Sequence, residues 1–367
     1  MRKKIYDVIL AHEEASAEAF MKKIEGKKPL FVCVIGSTET AKIPGLSAAG
    51  KHPELTEYTP AADVELLLLG SCKCIKGVPV TPEGIPTPAL ITMSALKLAD
   101  IPSLVVSGGV KIKPLVPHLD LGGKPGGDIR TGNAVENCEE ILLRAKIAGE
   151  NLSKIAEYLV VGESIPGGTT TALGVLLAMG IDARRKVSSS MPKNPHELKI
   201  RVVEEGLKAA KIEFGELASD PLKAVSCVGD PMIPAFAGLV VGAAHRVPVL
   251  MAGGTQMGAV LAVVKSFDHQ LLNNLAIGTT RWIIEDKNAD LKGIIAQIVD
   301  IPVLAADLDF SRSRFEGLKA YERGFVKDGV GAGGAAIAAM AKSRGKISAA
   351  ALLEEIERNY EQLVAER

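Results

Sequence analysis

Eight short apolar runs, most of them closing on Gly, Ser or Thr, recur along the chain and limit what it can fold into. They are FVCVIGST (31–38), ELLLLGS (65–71), SLVVSGG (103–109), EYLVVGE (157–163), AVSCVGD (224–230), VPVLMAGGT (247–255), NLAIGTT (274–280) and, less cleanly, IPVLAAD (301–307). Continuous apolar runs of this length predict strands buried on both faces, and hence a mostly parallel sheet. The segments between them are long enough for crossover helices. The expected class is therefore α/β, a Rossmann-like sheet flanked by helices, with ligands bound beyond the carboxyl ends of the strands.

The two ends follow another pattern. Residues 6–25 and 347–365 are helical by periodicity, and they predict a small helical subdomain built from both termini (1–27 and 344–367) around an α/β domain at 28–343. Lys+Arg equals Asp+Glu at 43 each and there is one Trp, so no electrostatic footprint for nucleic acid or an anionic membrane exists. Acidic residues interrupt the N-terminal apolar stretch too soon for a signal peptide. The run PAFAGLVVGAA (234–244) is too short to span a bilayer. Five cysteines show no framework spacing, and Cys72 and Cys74 have no nearby histidine to complete a zinc set. They are read as ordinary thiols of a cytoplasmic protein, with no metal and no cofactor.

Three loops carry the chemistry. GESIPGGTTTA (162–172) follows a strand and opens a helix that Gly180 closes. Its spacing is that of a P-loop, but Gly168 stands where the lysine belongs. Free amides at a helix start, with Gly167, Gly168, Thr169 and Thr170 around them, suit a single phosphate as well as a plain connecting turn. In VSSSMPKNPHELK (187–199), Asn194, Pro195 and Glu197 form a helix start. Lys199 in its second turn is either a surface lysine or the partner of an anion held by Ser188, Ser189 and Ser190. The third loop, KDGVGAGG (327–334), opens another helix and carries one carboxylate, Asp328, with Gly329, Gly331 and Gly333 beside it. Glu163, at a strand end, is a catalytic candidate or a structural carboxylate. The proline-rich VTPEGIPTP (80–88) is a stiff loop in which Thr81, Glu83 and Pro86 could wall a flat apolar ligand. His118 and Asp120 lie beside a glycine run and are read as loop residues. No G-x-G-x-x-G follows the first strand, and no zinc-protease, hydrolase-elbow or kinase signature is present.

In this order the loops resemble the nicotinate-nucleotide:dimethylbenzimidazole phosphoribosyltransferase family, in its divergent archaeal-type branch. GESIPGGTTTA is similar to that family's Gly-Glu-(x)-Gly-Asn-Thr-Thr. VSSSMPKNPHELKIRVVEEG resembles its glycine turn and following helix, with Lys199 in the lysine position. KDGVGAGGAAIA (327–338) resembles its C-terminal Gly-Glu-Gly-Thr-Gly-Ala-Ala. LADIPSLVVSGGV followed by GDIRTGNAV and the 226–263 stretch also follow its pattern. Three positions depart from it: Asp328 replaces the family's glutamate, three serines replace the glycine turn, and Gly168 replaces Asn.

The resemblance implies transfer of phosphoribose from nicotinate mononucleotide to a benzimidazole-type base, with release of nicotinate, by a homodimer that needs no cofactor. Asp328 would be the base that takes the N–H proton, and Glu163 would assist it or orient the ribose. Lys199 would clamp the phosphate with the two helix starts, in a set that also includes Thr279 and Thr280. Two other readings stay open on the residues alone: a non-catalytic homologue that binds a nucleotide or base, and a dinucleotide-dependent oxidoreductase, for which the fingerprint is missing.

Overall fold

A computed structural model describes residues 2–48, 53–77, 79–81 and 83–365. Nine strands form one sheet: β1 (Lys4–Ile5), β2 (Val8–His12), β3 (Pro29–Gly36), β4 (Ser103–Gly109), β5 (His118–Asp120), β6 (Tyr158–Ser164), β7 (Val249–Ala252), β8 (Leu275–Thr280) and β9 (Val303–Ala306). Their order is β1-β2-β9-β8-β7-β6-β3-β4-β5. From β9 to β5 every neighbour pair is parallel, and β2 and β1 continue the sheet antiparallel beyond β9. The mostly parallel, helix-flanked α/β fold is therefore the one expected. Strand order reverses between β3 and β6, which opens a crevice at the carboxyl ends of these two strands.

The pleat sorts alternate residues into two apolar layers. On β3, Val32 and Val34 join one core cluster while Phe31, Cys33 and Ile35 join the other. The first layer is covered by helices that include Gly168–Ala178, His196–Ala210, Met232–Ala244 and Met257–Phe267. Helices Glu14–Ile24, Thr59–Leu69, Ala89–Ala99, Ala332–Lys342 and the C-terminal Ala349–Ala365 lie over the second. The 234–244 run lies inside a wholly buried helix. Among the described residues no helix is long and apolar enough to cross a membrane, and the five cysteines are free.

Two of the eight expected strands are helices. ELLLLGS belongs to Thr59–Leu69, and AVSCVGD to Pro221–Val228, whose Asp220 side chain caps the Lys223 amide. Both are buried on several sides, so no polar face breaks the apolar run, and a buried helix and a buried strand then look alike. Each carries a proline in its first turn, the signal that separates them. The termini also depart from expectation. Residues 8–12 are a strand, and the helices Glu14–Ile24 and Ala349–Ala365 share the apolar layer under the sheet. The C-terminal helix packs chiefly on Ala89–Ala99.

The helix Ala332–Lys342 approaches the sheet almost backbone to backbone. A Cβ at Gly333 would sit 2.1 Å from the carbonyl carbon of Thr279, and one at Gly334 would sit 2.3 Å from the Cβ of Ala252. Gly331, with φ +67°, meets Gly162 of β6 at a comparable distance. These glycines are needed for contact. Gly333→Ala should destabilise the fold by about 1–3 kcal/mol through overpacking, read as a lower urea midpoint; an unchanged midpoint would mean that this helix can back away from the sheet without cost.

Candidate functional site

A cavity of about 930 Å³ opens at the carboxyl edge of the sheet, beside the β3/β6 reversal. That volume suits a nucleotide-sized ligand. Its wall includes Glu163 and Ser164 from the end of β6 and Gly167, Gly168 and Thr169 from the next helix start. Ser188, Ser189 and Ser190, Gly254 and Gln256, and Asp328 and Gly329 complete the polar part. Asp63, Thr81, Thr87 and the apolar Ile75, Pro79, Val80, Ile85, Pro88 and Val330 line a further side. The three loops singled out by sequence thus share one site.

The serine turn is held from behind. Lys199 donates to the Ser188 carbonyl at 2.5 Å and to Thr169 Oγ1 at 3.0 Å. Lys327 donates to the Ser189 carbonyl at 2.7 Å and to the Met191 carbonyl at 3.3 Å, and pairs with Asp286 at 3.1 Å. Neither lysine is part of the cavity wall. Among the described residues no peptide bond is cis, so each amide N–H points opposite the carbonyl that precedes it. With the carbonyls of Ser188 and Ser189 turned onto the ammonium groups, the amides of Ser189 and Ser190 point to the cavity side. Thr169 accepts from Lys199, which leaves its own hydroxyl proton free to donate. Two amides, a hydroxyl and the start of the Gly168–Ala178 helix make a seat for an anion.

Carboxyl groups line the same cavity. Glu163 accepts from the Ile165 amide at 3.0 Å and from Gln256 Nε2 at 2.5 Å. Burial first, then the nearby Asp328 and Asp230, hold its pKa well above the ordinary glutamate value. Asp328 Oδ1 accepts from the amides of Gly329 (2.8 Å) and Gly333 (3.3 Å), and Oδ2 accepts from Thr279 Oγ1 at 2.9 Å. Burial pushes it up to about 6 against those donors. Asp63, from the helix Thr59–Leu69, accepts from Thr87 and Ser164, each at 2.7 Å, and burial raises it to about 6. It therefore ties the 79–88 loop to the end of β6.

Several residues expected at the phosphate lie elsewhere. Thr279 and Thr280 are fully buried behind the 327–329 loop: one holds the Asp328 side chain, the other donates to the Lys327 carbonyl at 2.6 Å. Gly331 and Gly333 serve helix-on-sheet contact, and the Gly333 amide is spent on Asp328, so this second helix start faces a carboxylate and not the cavity. Thr170 is buried in the helix and outside the wall. Lys199 acts one layer back. Of the slot residues, Thr81 lines the cavity, while Glu83 is exposed and accepts from Thr81 Oγ1 at 2.8 Å. Pro86 is buried with its carbonyl accepting from Tyr321 at 2.9 Å. Asn194 does not cap its helix; its side chain donates to the carbonyls of Val187 and Asn288. His118 and Asp120 form the edge strand β5, away from the cavity wall.

Sequence reading missed Asp63, Gln256 and Lys327. Asp63 stands two residues ahead of the 65–71 run expected as a strand, although a carboxylate three residues after Pro60 in an otherwise apolar stretch is a usable signal. Lys327 adjoins Asp328 and was passed over as loop. Gln256 has no local signature.

The raised carboxyl of Asp63 has a thermodynamic consequence. A carboxyl held above its unfolded value contributes stability that is present below the unfolded pKa and lost as pH rises through the folded pKa. Between pH 4 and 6, wild type should therefore lose stability relative to Asp63→Asn. The span is at most about 3 kcal/mol, roughly two units at ~1.4 kcal/mol each. Parallel denaturation curves across that range measure the difference, and a constant gap between the two proteins would show that Asp63 does not titrate there.

A phosphoribosyltransferase family model matches residues 105–280. CobT from Thermus thermophilus superposes with a TM-score of 0.62 at 17% identity, covering 92% of this chain and 90% of that one. A nicotinate-nucleotide-dimethylbenzimidazole phosphoribosyltransferase structure from the same organism gives 0.59 at 17% identity, with 92% and 89% covered. The likeness to these structures is one of fold. The UPF0284 protein of Sulfolobus acidocaldarius is 47% identical over 94% of this chain and 99% of its own length. That of Methanothermobacter thermautotrophicus is 48% identical over 88% and 90%. With identity at this level along nearly the whole length, the chain belongs to the UPF0284 protein family.

Proposed function

We propose that the chain is a phosphoribosyltransferase that takes phosphoribose from nicotinate mononucleotide and transfers it to a nitrogen of a benzimidazole-type base, releasing nicotinate. The observation that carries this reading is the polarity of the cavity. An anion seat backed by two lysines, a set of buried carboxyls and an apolar slot all line it. A 5′-phosphate fits the seat formed by Thr169 and the serine turn. A flat heterocycle fits between Pro79, Val80, Ile85, Pro88 and Val330.

The residues divide the chemistry as follows. Transfer needs the N–H proton of the acceptor removed as its other ring nitrogen attacks C1′. Asp328, at about 6, is mostly ionised at neutral pH and lines the cavity. Glu163, whose pKa burial raises well above the ordinary glutamate value, acts as a hydrogen-bonding wall beside the ribose. The carboxyl-lined wall also favours the positive charge that builds on the ribose as the glycosidic bond loosens. Fixing both substrates in line supplies much of the remaining rate enhancement. A second reading has one observation in its favour: Asp328 is engaged by the Thr279 hydroxyl and by the amides of Thr280, Gly329 and Gly333, as a purely structural cap would be. In that case the chain binds the nucleotide without turning it over.

Two outcomes test this. Thr169→Val removes the seat's hydroxyl and should weaken nicotinate mononucleotide binding by about 1.5–3 kcal/mol, the range for a hydrogen bond to a charged group. An unaltered dissociation constant by calorimetry would move the phosphate away from that seat. Nicotinate release, followed with a panel of bases, should fall by ~10²–10⁴-fold in Asp328→Asn with nucleotide affinity little changed. In wild type kcat/KM should decline as pH drops below about 6, where Asp328 gains its proton. Wild-type turnover in the asparagine variant would remove Asp328 as the base, and binding without release for any base would favour the non-catalytic reading.

A further inference from the structure

The two lysines behind the serine turn are not equivalent. Lys327 has a counter-ion, Asp286, and both side chains are nearly inaccessible. Lys199 is 1% exposed, and its ammonium donates only to neutral oxygens, the Ser188 carbonyl and the Thr169 hydroxyl. Among the described residues no carboxylate lies within 4 Å of it. The neighbouring groups add no compensating charge. The Gly168–Ala178 helix offers Thr169, the serine turn a carbonyl, the 327 loop a second ammonium, and its own helix His196, whose pKa burial first and Lys199 second lower. Only Asp286, already paired with Lys327, acts in the opposite sense. An isolated ammonium in such surroundings favours its neutral form.

We propose that the anion seat is proton-coupled: Lys199, buried on neutral oxygens alone, takes up a proton from water when a doubly charged phosphate group enters the serine turn, and returns it when the ligand leaves. The inference rests on the phosphate reading of the seat. Burial first, and Lys327 second, lower Lys199 to about 7 in the free protein, so at neutral pH and above a substantial part of the sites hold a neutral amine. The ligand's charge reaches Lys199 through two short paths. One is the Thr169 hydroxyl, which accepts from Nζ and can donate to the anion. The other is the Ser188–Ser189 peptide, whose carbonyl binds Nζ while its N–H faces the cavity. Hydrogen bonds in series polarise one another, so an anion at one end favours the ammonium at the other. Below pH 7 the lysine is already charged and binding moves no proton. Above it, binding draws in up to one proton, and affinity falls by up to about tenfold per pH unit until the ligand-bound pKa is reached.

The test titrates the lysines of the intact protein by NMR with ¹³C-labelled side chains, with and without saturating inorganic sulfate. Sulfate carries two charges and does not itself titrate in this range. One lysine signal should titrate near neutrality, disappear in Lys199→Arg, and move up by at least one pH unit with sulfate. A free protein with no such low-titrating lysine, or a midpoint that sulfate leaves in place, overturns the proposal. Nicotinate mononucleotide affinity between pH 7 and 9, where its phosphate stays a dianion, gives the second readout. Wild type should weaken with pH, and Lys199→Arg, whose guanidinium stays charged, should lose that dependence whatever its absolute affinity. A dependence that survives in Lys199→Arg assigns it to Lys327 and refutes the coupling through Lys199. Failure of the nucleotide to bind at any pH refutes the proposed substrate, while the sulfate titration still decides the coupling.

Discussion

The contact between the helix Ala332–Lys342 and the sheet carries most of the site. Helices pack on sheets through side chains, and that spacing would leave the loop before this helix well clear of the strand ends. Here Gly331, Gly333 and Gly334 meet Gly162, Thr279 and Ala252 with no intervening side chain. The loop is thereby drawn down onto β8, where Thr279 and Thr280 hold Asp328 and the Lys327 carbonyl. The same approach lets the Val330 amide reach the Glu163 carbonyl at 2.9 Å. One glycine-permitted contact thus places Asp328 and Lys327 on opposite sides of a single loop. The first faces the cavity; the second backs the serine turn.

That split sets the electrostatics. Lysines placed in the cavity itself would be hydrated and would bind an anion as mobile point charges. Placed behind the turn, they would act through peptide dipoles and a hydroxyl whose positions are set by packing, so little reorganisation would accompany anion binding. The arrangement carries a desolvation cost, visible in the lowered Lys199 and Lys327 and in the raised Glu163, Asp63 and Asp328. Perturbed groups of both signs around one cavity are the pattern of a working site more than of a structural core.

Where sequence reading succeeded and failed follows from how local each signal is. Six of the eight apolar runs are strands because β-branched residues flanked by glycine specify a buried strand with little outside help. The runs 65–71 and 224–230 failed because neither shows a polar face: Leu68 and Leu69 are exposed yet apolar, and residues 224–230 are almost wholly buried, so only the proline of the first turn remains as a local mark. The glycines at 331 and 333 were recognised as unusual, but a phosphate loop and a close helix contact demand the same residue. Asp63 lines the cavity held by Thr87 and Ser164, one of them more than a hundred positions away in sequence, and no window along the chain contains that contact.

By itself, then, the sequence determined the α/β class, the strand–turn–helix units, and the three loops at the ligand edge, because each rests on periodicity and turn chemistry within a few residues. Tertiary structure alone decided which atoms of those loops face the cavity. It turned the serine-turn carbonyls toward Lys199 and Lys327, and gave Thr279 and Thr280 to the support of Asp328. It also brought Asp63 and Gln256 to the carboxyl-lined wall. The physical reason is that a donor's direction depends on what binds the other side of its peptide or side chain, and in this fold those partners come from strands and helices far apart in sequence.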